Sequence, residues 1–86
     1  MYTLEYGIDV QKTCKKYPTK DKIALVEGLE NLKKNPRPLS VKKLAGYENA
    51  YRVRVGHYRI IYEIYDKKLV VLIIDIHTRA NIYKKI

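Results

Sequence analysis

Apolar and polar residues alternate from Tyr2 to Tyr6 and break at Gly7, the signature of a short first strand. From Ile8 to Tyr17 the period changes. Val10, Cys14 and Tyr17 recur at i, i+4 and i+7, which predicts a helix stopped by Pro18. A second helix, capped by Asp21 or Thr19, is predicted to run to Lys34 with Leu25, Leu29 and Leu32 on one stripe, and Asn35-Pro36 ends it. Gly28 lies inside that stretch, where glycine costs about 1 kcal/mol relative to alanine. Its presence points to close packing on the first helix. Residues 36–49 read as a connection containing two prolines, Lys42-Lys43 and Gly46. Three strands are then predicted at 50–55, 58–65 and 69–76, joined by Gly56-His57 and Asp66-Lys67-Lys68 as tight antiparallel hairpins. The last is nearly all apolar, as expected of a strand buried on both faces.

The order strand, two-helix hairpin, three-stranded antiparallel meander predicts an α+β fold in which the helices pack on one sheet face. The period of two in strands then sorts the side chains. Tyr51, Val53 and Val55 share one face and are assigned to the core, as are Tyr58, Ile60, Tyr62 and Ile64. Arg52, Arg54 and Arg59 are left together on the uncovered face. Like charges so close repel one another, and a bound polyanion is what such a cluster suits.

The chain has 86 residues, 47% of them apolar, with no Gly/Ser/Pro-rich tract, so one folded domain over 1–86 is expected. A single cysteine, Cys14, cannot form an internal disulfide and reads as a small core residue. Glu5 stands where a signal peptide would be apolar, and the run Leu69–Ile74 is far short of the ~20 residues of a membrane helix. A soluble cytoplasmic protein with no membrane partner is therefore expected.

Charge sharpens the picture. The formal net charge is +9, with ten basic against four acidic side chains in residues 42–86. Nucleic acid or an acidic protein is the expected partner. Lysine occurs 13 times throughout the chain, whereas four of the five arginines, Arg52, Arg54, Arg59 and Arg79, fall in the last 35 residues. Lysine suffices for solubility, but the guanidinium fork suits bidentate phosphate contacts. No Gly-rich phosphate loop, CxxC or HExxH spacing occurs, so no metal or organic cofactor is expected.

The segment Lys43-Leu44-Ala45-Gly46, the block YRVRVGHYRIIY from Tyr51 to Tyr62, the apolar strand 69–76, and Thr78-Arg79 with Tyr83 resemble the RelE/ParE toxin superfamily. The resemblance covers nearly the whole chain. It implies a type II toxin of the RelE kind, a ribosome-dependent endoribonuclease that cuts mRNA in the A site by attack of a ribose 2′-OH on the adjacent phosphate. It further implies a cognate antitoxin, expected to be acidic and RelB-like. Carried over by position, the family's catalytic basic residues fall on Arg52, Arg54, Arg59 and Arg79, and its C-terminal tyrosine on Tyr83. Lys42, Lys43, Lys84 and Lys85 would contact ribosomal RNA. Two alternatives are a ParE-like toxin that inhibits DNA gyrase and an inactive nucleic-acid-binding relative.

One departure stands out. Arginine replaces the lysine that such enzymes can use as a base, and a guanidinium with a pKa above ~12 does not abstract protons at neutral pH. His57 and His77 are the possible general bases, and each is equally at home as a solvated turn residue. Tyr83 could stack on a base or serve as a C-terminal core aromatic.

Overall fold

A computed structural model describes residues 1–78. Strand β1 (Thr3–Tyr6) leads to α1 (Val10–Thr13) and α2 (Thr19–Lys34). Then come β2 (Lys42–Lys43), β3 (Ala50–Val55), β4 (Tyr58–Tyr65) and β5 (Val70–Thr78). The five strands form one sheet in the order β1-β5-β4-β3-β2. The expected antiparallel meander is β3-β4-β5. The sheet as a whole is mixed, because β1 pairs in parallel with β5. A parallel neighbour needs a long connection; here the two helical segments carry the chain from β1 to β2 at the opposite edge, and β3 and β4 bring it back to β5.

Leu25, Leu29 and Leu32 of α2 are buried against Val53, Ile60, Tyr62, Ile64, Val71 and Ile73, so the predicted helical stripe and strand faces do meet. Tyr62 is fully buried, and its hydroxyl donates to the Pro36 carbonyl at 2.7 Å, which ties the end of α2 to the sheet. Burial pushes its pKa well above the ordinary phenol value. Cys14 is buried in the same core, as predicted, and that burial raises its thiol pKa.

Several expectations are corrected. The first helix does not span Ile8–Tyr17. Asp9 caps it by accepting from the Lys12 amide at 3.1 Å, and it ends at Thr13, with turns carrying the chain to Tyr17. Neither Asp21 nor Thr19 caps α2, which begins after Pro18 without a side-chain cap. The Asp21 carboxylate instead accepts a 2.6 Å hydrogen bond from Tyr58, which raises that phenol to about 12. Gly28 faces the sheet and not the first helix. A Cβ there would stand 2.8 Å from Val55 Cγ2, so the valine would have to shift, and glycine is what lets α2 seat this closely on β3.

The Asp66-Lys67-Lys68 joint is longer than a tight hairpin. Two successive turns bring Leu69 to φ 55°, and β5 begins one residue later than predicted. Nor is β5 buried on both faces: Val71, Ile73 and Ile76 are in the core, while Ile74 is exposed.

Arg37, the one arginine outside the C-terminal group, is a structural clamp. Its guanidinium forms a two-pronged pair with Asp66 at 2.9 and 3.1 Å and lies 5.3 Å from the Tyr51 ring centre. Tyr2 also donates to Asp66, at 2.6 Å. Arg37 first, and Tyr2 second, hold the Asp66 carboxyl down at about 2. A depressed carboxyl pKa contributes stability above its unfolded value of ~3.9 and loses it as pH falls through the folded value. Wild type should therefore be more stable than Asp66→Asn at neutral pH, with the gap in unfolding midpoint closing between pH ~4 and ~2. Acid unfolding curves of the two proteins, followed by circular dichroism, measure this directly. A gap that persists below pH 2 would place the acid-sensitive group elsewhere.

Candidate active site on the open sheet face

The helices cover one sheet face, and the basic residues stand on the other. Val53↔Ile60 and Tyr51↔Tyr62 are paired across β3 and β4 with their side chains inward. Between these pairs Arg52 stands opposite Ile61, and one step beyond Val53↔Ile60 Arg54 stands directly opposite Arg59. Directly opposed residues have Cβ atoms about 4.5–5.5 Å apart, and Arg52 to Arg54 along one strand is roughly 6.5–7 Å. Arg54 is exposed, and Arg52 and Arg59 are half-buried. The ion pairs among the described residues are Lys33–Glu30 and Arg37–Asp66, so within that part of the chain none of these three guanidinium groups is neutralised by a carboxylate.

Lys42 belongs to the same face. The sequence places it in a connection, but β2 pairs with β3 so that Lys42 stands opposite Arg52 and Lys43 opposite Tyr51. Lysines 42 and 43 are both exposed. A two-residue strand carries too little periodicity to be legible in sequence.

On the other side of β4, the ladder skips Ile74. Tyr62 pairs with Ile73 and Ile61 with Asp75, which is a β-bulge. An extra residue reverses the alternation beyond it, so Ile76 returns to the core and His77 stands opposite Arg59. Arg54, Arg59 and His77 thus form one row across three strands, with Asp75 in the next row. Sequence reading missed Asp75. The available signal was a lone carboxylate in an otherwise apolar strand, out of step with a simple period of two. Its side chain accepts from the Ile76 amide at 2.8 Å.

The two histidines occupy unlike positions. His57 is exposed at the tip of the β3–β4 hairpin, where Gly56 takes φ 59° and makes the sharp turn possible. His77 is half-buried, and both its ring nitrogens are shielded from solvent. Arg79, Tyr83, Lys84 and Lys85 lie outside the described residues. The described part of the site is thus three arginines, Lys42 and two imidazoles, an arrangement suited to gripping a phosphate and polarising it.

Comparison with known proteins shows which class of protein carries this sheet and its basic face. Residues 9–83 match the family model described as the ParE toxin of type II toxin-antitoxin systems, parDE. The chain is 31% identical to the putative toxin RelE1 of Methanocaldococcus jannaschii over 96% of both chains. The protein belongs to the RelE/ParE toxin family of type II toxin-antitoxin systems. Among solved structures it resembles the toxin of the archaeal RelE–RelB complex from Pyrococcus horikoshii, with a TM-score of 0.79 and 29% identity over 91% of this chain and 94% of that one. It also resembles the isolated E. coli RelE toxin, with a TM-score of 0.73 and 25% identity over 99% and 94%. No helix among the described residues is long and apolar enough to cross a membrane.

Proposed function

We propose that this toxin is a metal-independent endoribonuclease that cleaves mRNA in the ribosomal A site. The observation that carries this reading is the row of Arg54 against Arg59, flanked by Arg52, with no carboxylate among the described residues paired to any of them. Such a cluster opposes folding by self-repulsion and gains most when a phosphodiester enters it. In the proposed reaction the 2′ oxygen attacks phosphorus and loses its proton as the bond to the 5′ oxygen breaks. A cyclic phosphate and a 5′ hydroxyl result, the leaving oxygen taking a proton from solvent. Arg52, Arg54 and Arg59 neutralise the charge that builds on the phosphoryl oxygens. Arg79 and Tyr83 join them on the family's pattern, Tyr83 orienting the substrate. Of the two imidazoles, His57 is the one open to an incoming strand, and it is the better placed proton acceptor.

The partners follow from the same reading. They are the ribosome with its messenger in the cytoplasm, reached through Lys42, Lys43, Lys84 and Lys85, and an acidic antitoxin that covers the basic face. Similar structures are RelE–RelB complexes, which supports an antitoxin partner. A gyrase-directed activity is the second reading, because the matching family model is described as ParE. Expression without a partner separates the two. Growth should stop, and transcripts should appear cut within codons. Intact transcripts with altered DNA supercoiling would transfer the protein to the gyrase-directed class, and normal growth would mark it as an inactive nucleic-acid-binding relative.

A further inference from the structure

The cations of this protein are not confined to the sheet face. Between residues 9 and 22 the chain carries five lysines, Lys12, Lys15, Lys16, Lys20 and Lys22, against two carboxylates. Both carboxylates accept from neutral donors, Asp9 from the Lys12 amide and Asp21 from the Tyr58 hydroxyl, and neither forms an ion pair with these lysines among the described residues. None of the five lysines belongs to the ion pairs found among the described residues, and all but Lys22 are exposed.

The location of this segment is set by two contacts. The Tyr17 ring lies 4.5 Å, centre to centre, from the Tyr58 ring, and Asp21 holds the Tyr58 hydroxyl. Tyr58 opens β4 and pairs with Val55, one step from the Arg54–Arg59 pair and next to His57. Lys15, Lys16 and Lys20 therefore lie within three residues of a side chain fixed at the hairpin end of the sheet. Both ion pairs lie towards the other end, where α2 finishes and β4 turns into β5. Within the described residues, the end that holds both ion pairs also carries Lys34, Lys67 and Lys68, whereas the hairpin end gathers five lysines and the Arg54–Arg59 pair with no ion pair among them.

We propose that the RNA-binding surface extends from the open sheet face, around the β3–β4 hairpin, onto the lysine-rich segment 12–22, and that this second part grips the phosphate backbone of ribosomal RNA. The inference rests on the reading that the substrate is cut on the ribosome. It adds a surface that acts in docking and is separate from the cleavage face. Lysine suits such a surface, since a point charge on a flexible stem tracks a backbone without reading sequence.

The proposal is tested by a salt titration of binding to purified ribosomes programmed with a messenger. One variant carries Lys15→Gln, Lys16→Gln and Lys20→Gln. A control of equal charge change carries Lys34→Gln, Lys67→Gln and Lys68→Gln at the other end. Each phosphate contact contributes roughly 0.7–0.9 to the slope of log affinity against log salt. The first variant should flatten the slope by about two units or more, while the control keeps the wild-type slope. Equal flattening in both would show a net-charge effect, and no flattening in either would show a merely solvated surface; both outcomes overturn the proposal. Weakened binding to the antitoxin with ribosome binding intact would also overturn it, assigning the surface to a protein. Wild-type protein that fails to bind ribosomes would bring down the functional reading itself, a result distinct from these.

Discussion

Replacing Arg59 with alanine should lower single-turnover cleavage of A-site messenger by at least ~10²-fold, the scale for losing one preorganised donor to a developing oxyanion. Arg59 is the centre of the row, with Arg54 on one side and His77 on the other. It is half-buried, and its register opposite Arg54 puts both residues beside any phosphate bound across β3 and β4. Arg59→Lys should recover part of the loss, since the charge returns without the fork. Stability should hardly change, because the substitution removes a cation from a repelling group that has no ion pair to lose among the described residues. The measurement is a quench-flow or primer-extension time course at saturating ribosomes, alongside a thermal melt. An unchanged rate with an unchanged melt would show that the open face is not where cleavage occurs.

Leu32→Ala should cost about 2–5 kcal/mol of stability, the range for truncating a buried leucine to alanine. Leu32 is 1% exposed and packs in the cluster that contains Tyr62 and Ile64. It sits in the last turn of α2 and shares its cluster with Tyr62, whose hydroxyl is tied to the Pro36 carbonyl just beyond the helix, so its surroundings are pinned and relax poorly into the void. A domain of this length is stable by only roughly 5–10 kcal/mol, so the change removes a large share of the total. The unfolding midpoint should fall by on the order of 10–30 °C. Val26→Ala on the same helix is the comparison, because Val26 is 58% exposed and its loss should be nearly neutral. Similar midpoints for the two variants would mean that α2 does not rest on the sheet through its leucine stripe.

Features that depend on local periodicity and on residue type were legible before any fold was known. The stripe of Leu25, Leu29 and Leu32 at helical spacing and the period-two pattern of 50–55 and 58–65 are properties of consecutive residues. Each has a single way to bury its apolar side, and the structure follows it. The joint facing of Arg52, Arg54 and Arg59 follows from the same alternation once Val53 and Ile60 are buried. Charge and the preference for arginine in the last 35 residues likewise needed no coordinates.

Tertiary structure alone decided what depends on partners distant in the chain. The parallel union of β1 with β5 joins residues nearly 70 positions apart, and no local pattern encodes it. The helical spacing at Val10, Cys14 and Tyr17 gave way to turns after Thr13, and Tyr17 packs its ring on Tyr58 of a strand distant in the chain. Asp21 left its expected capping role because the Tyr58 hydroxyl, 37 residues away, offered a better-placed donor. Gly28 was legible as a site of close approach, but its neighbour, Val55, belongs to a strand it could not name. The bulge at Ile74 is the clearest instance. In the sequence, residues 69–74 are one apolar run whose phase is free, and only pairing with β4 determines which residue is skipped. That choice places His77 opposite Arg59, because side chains in a strand alternate and one extra residue exchanges the two faces.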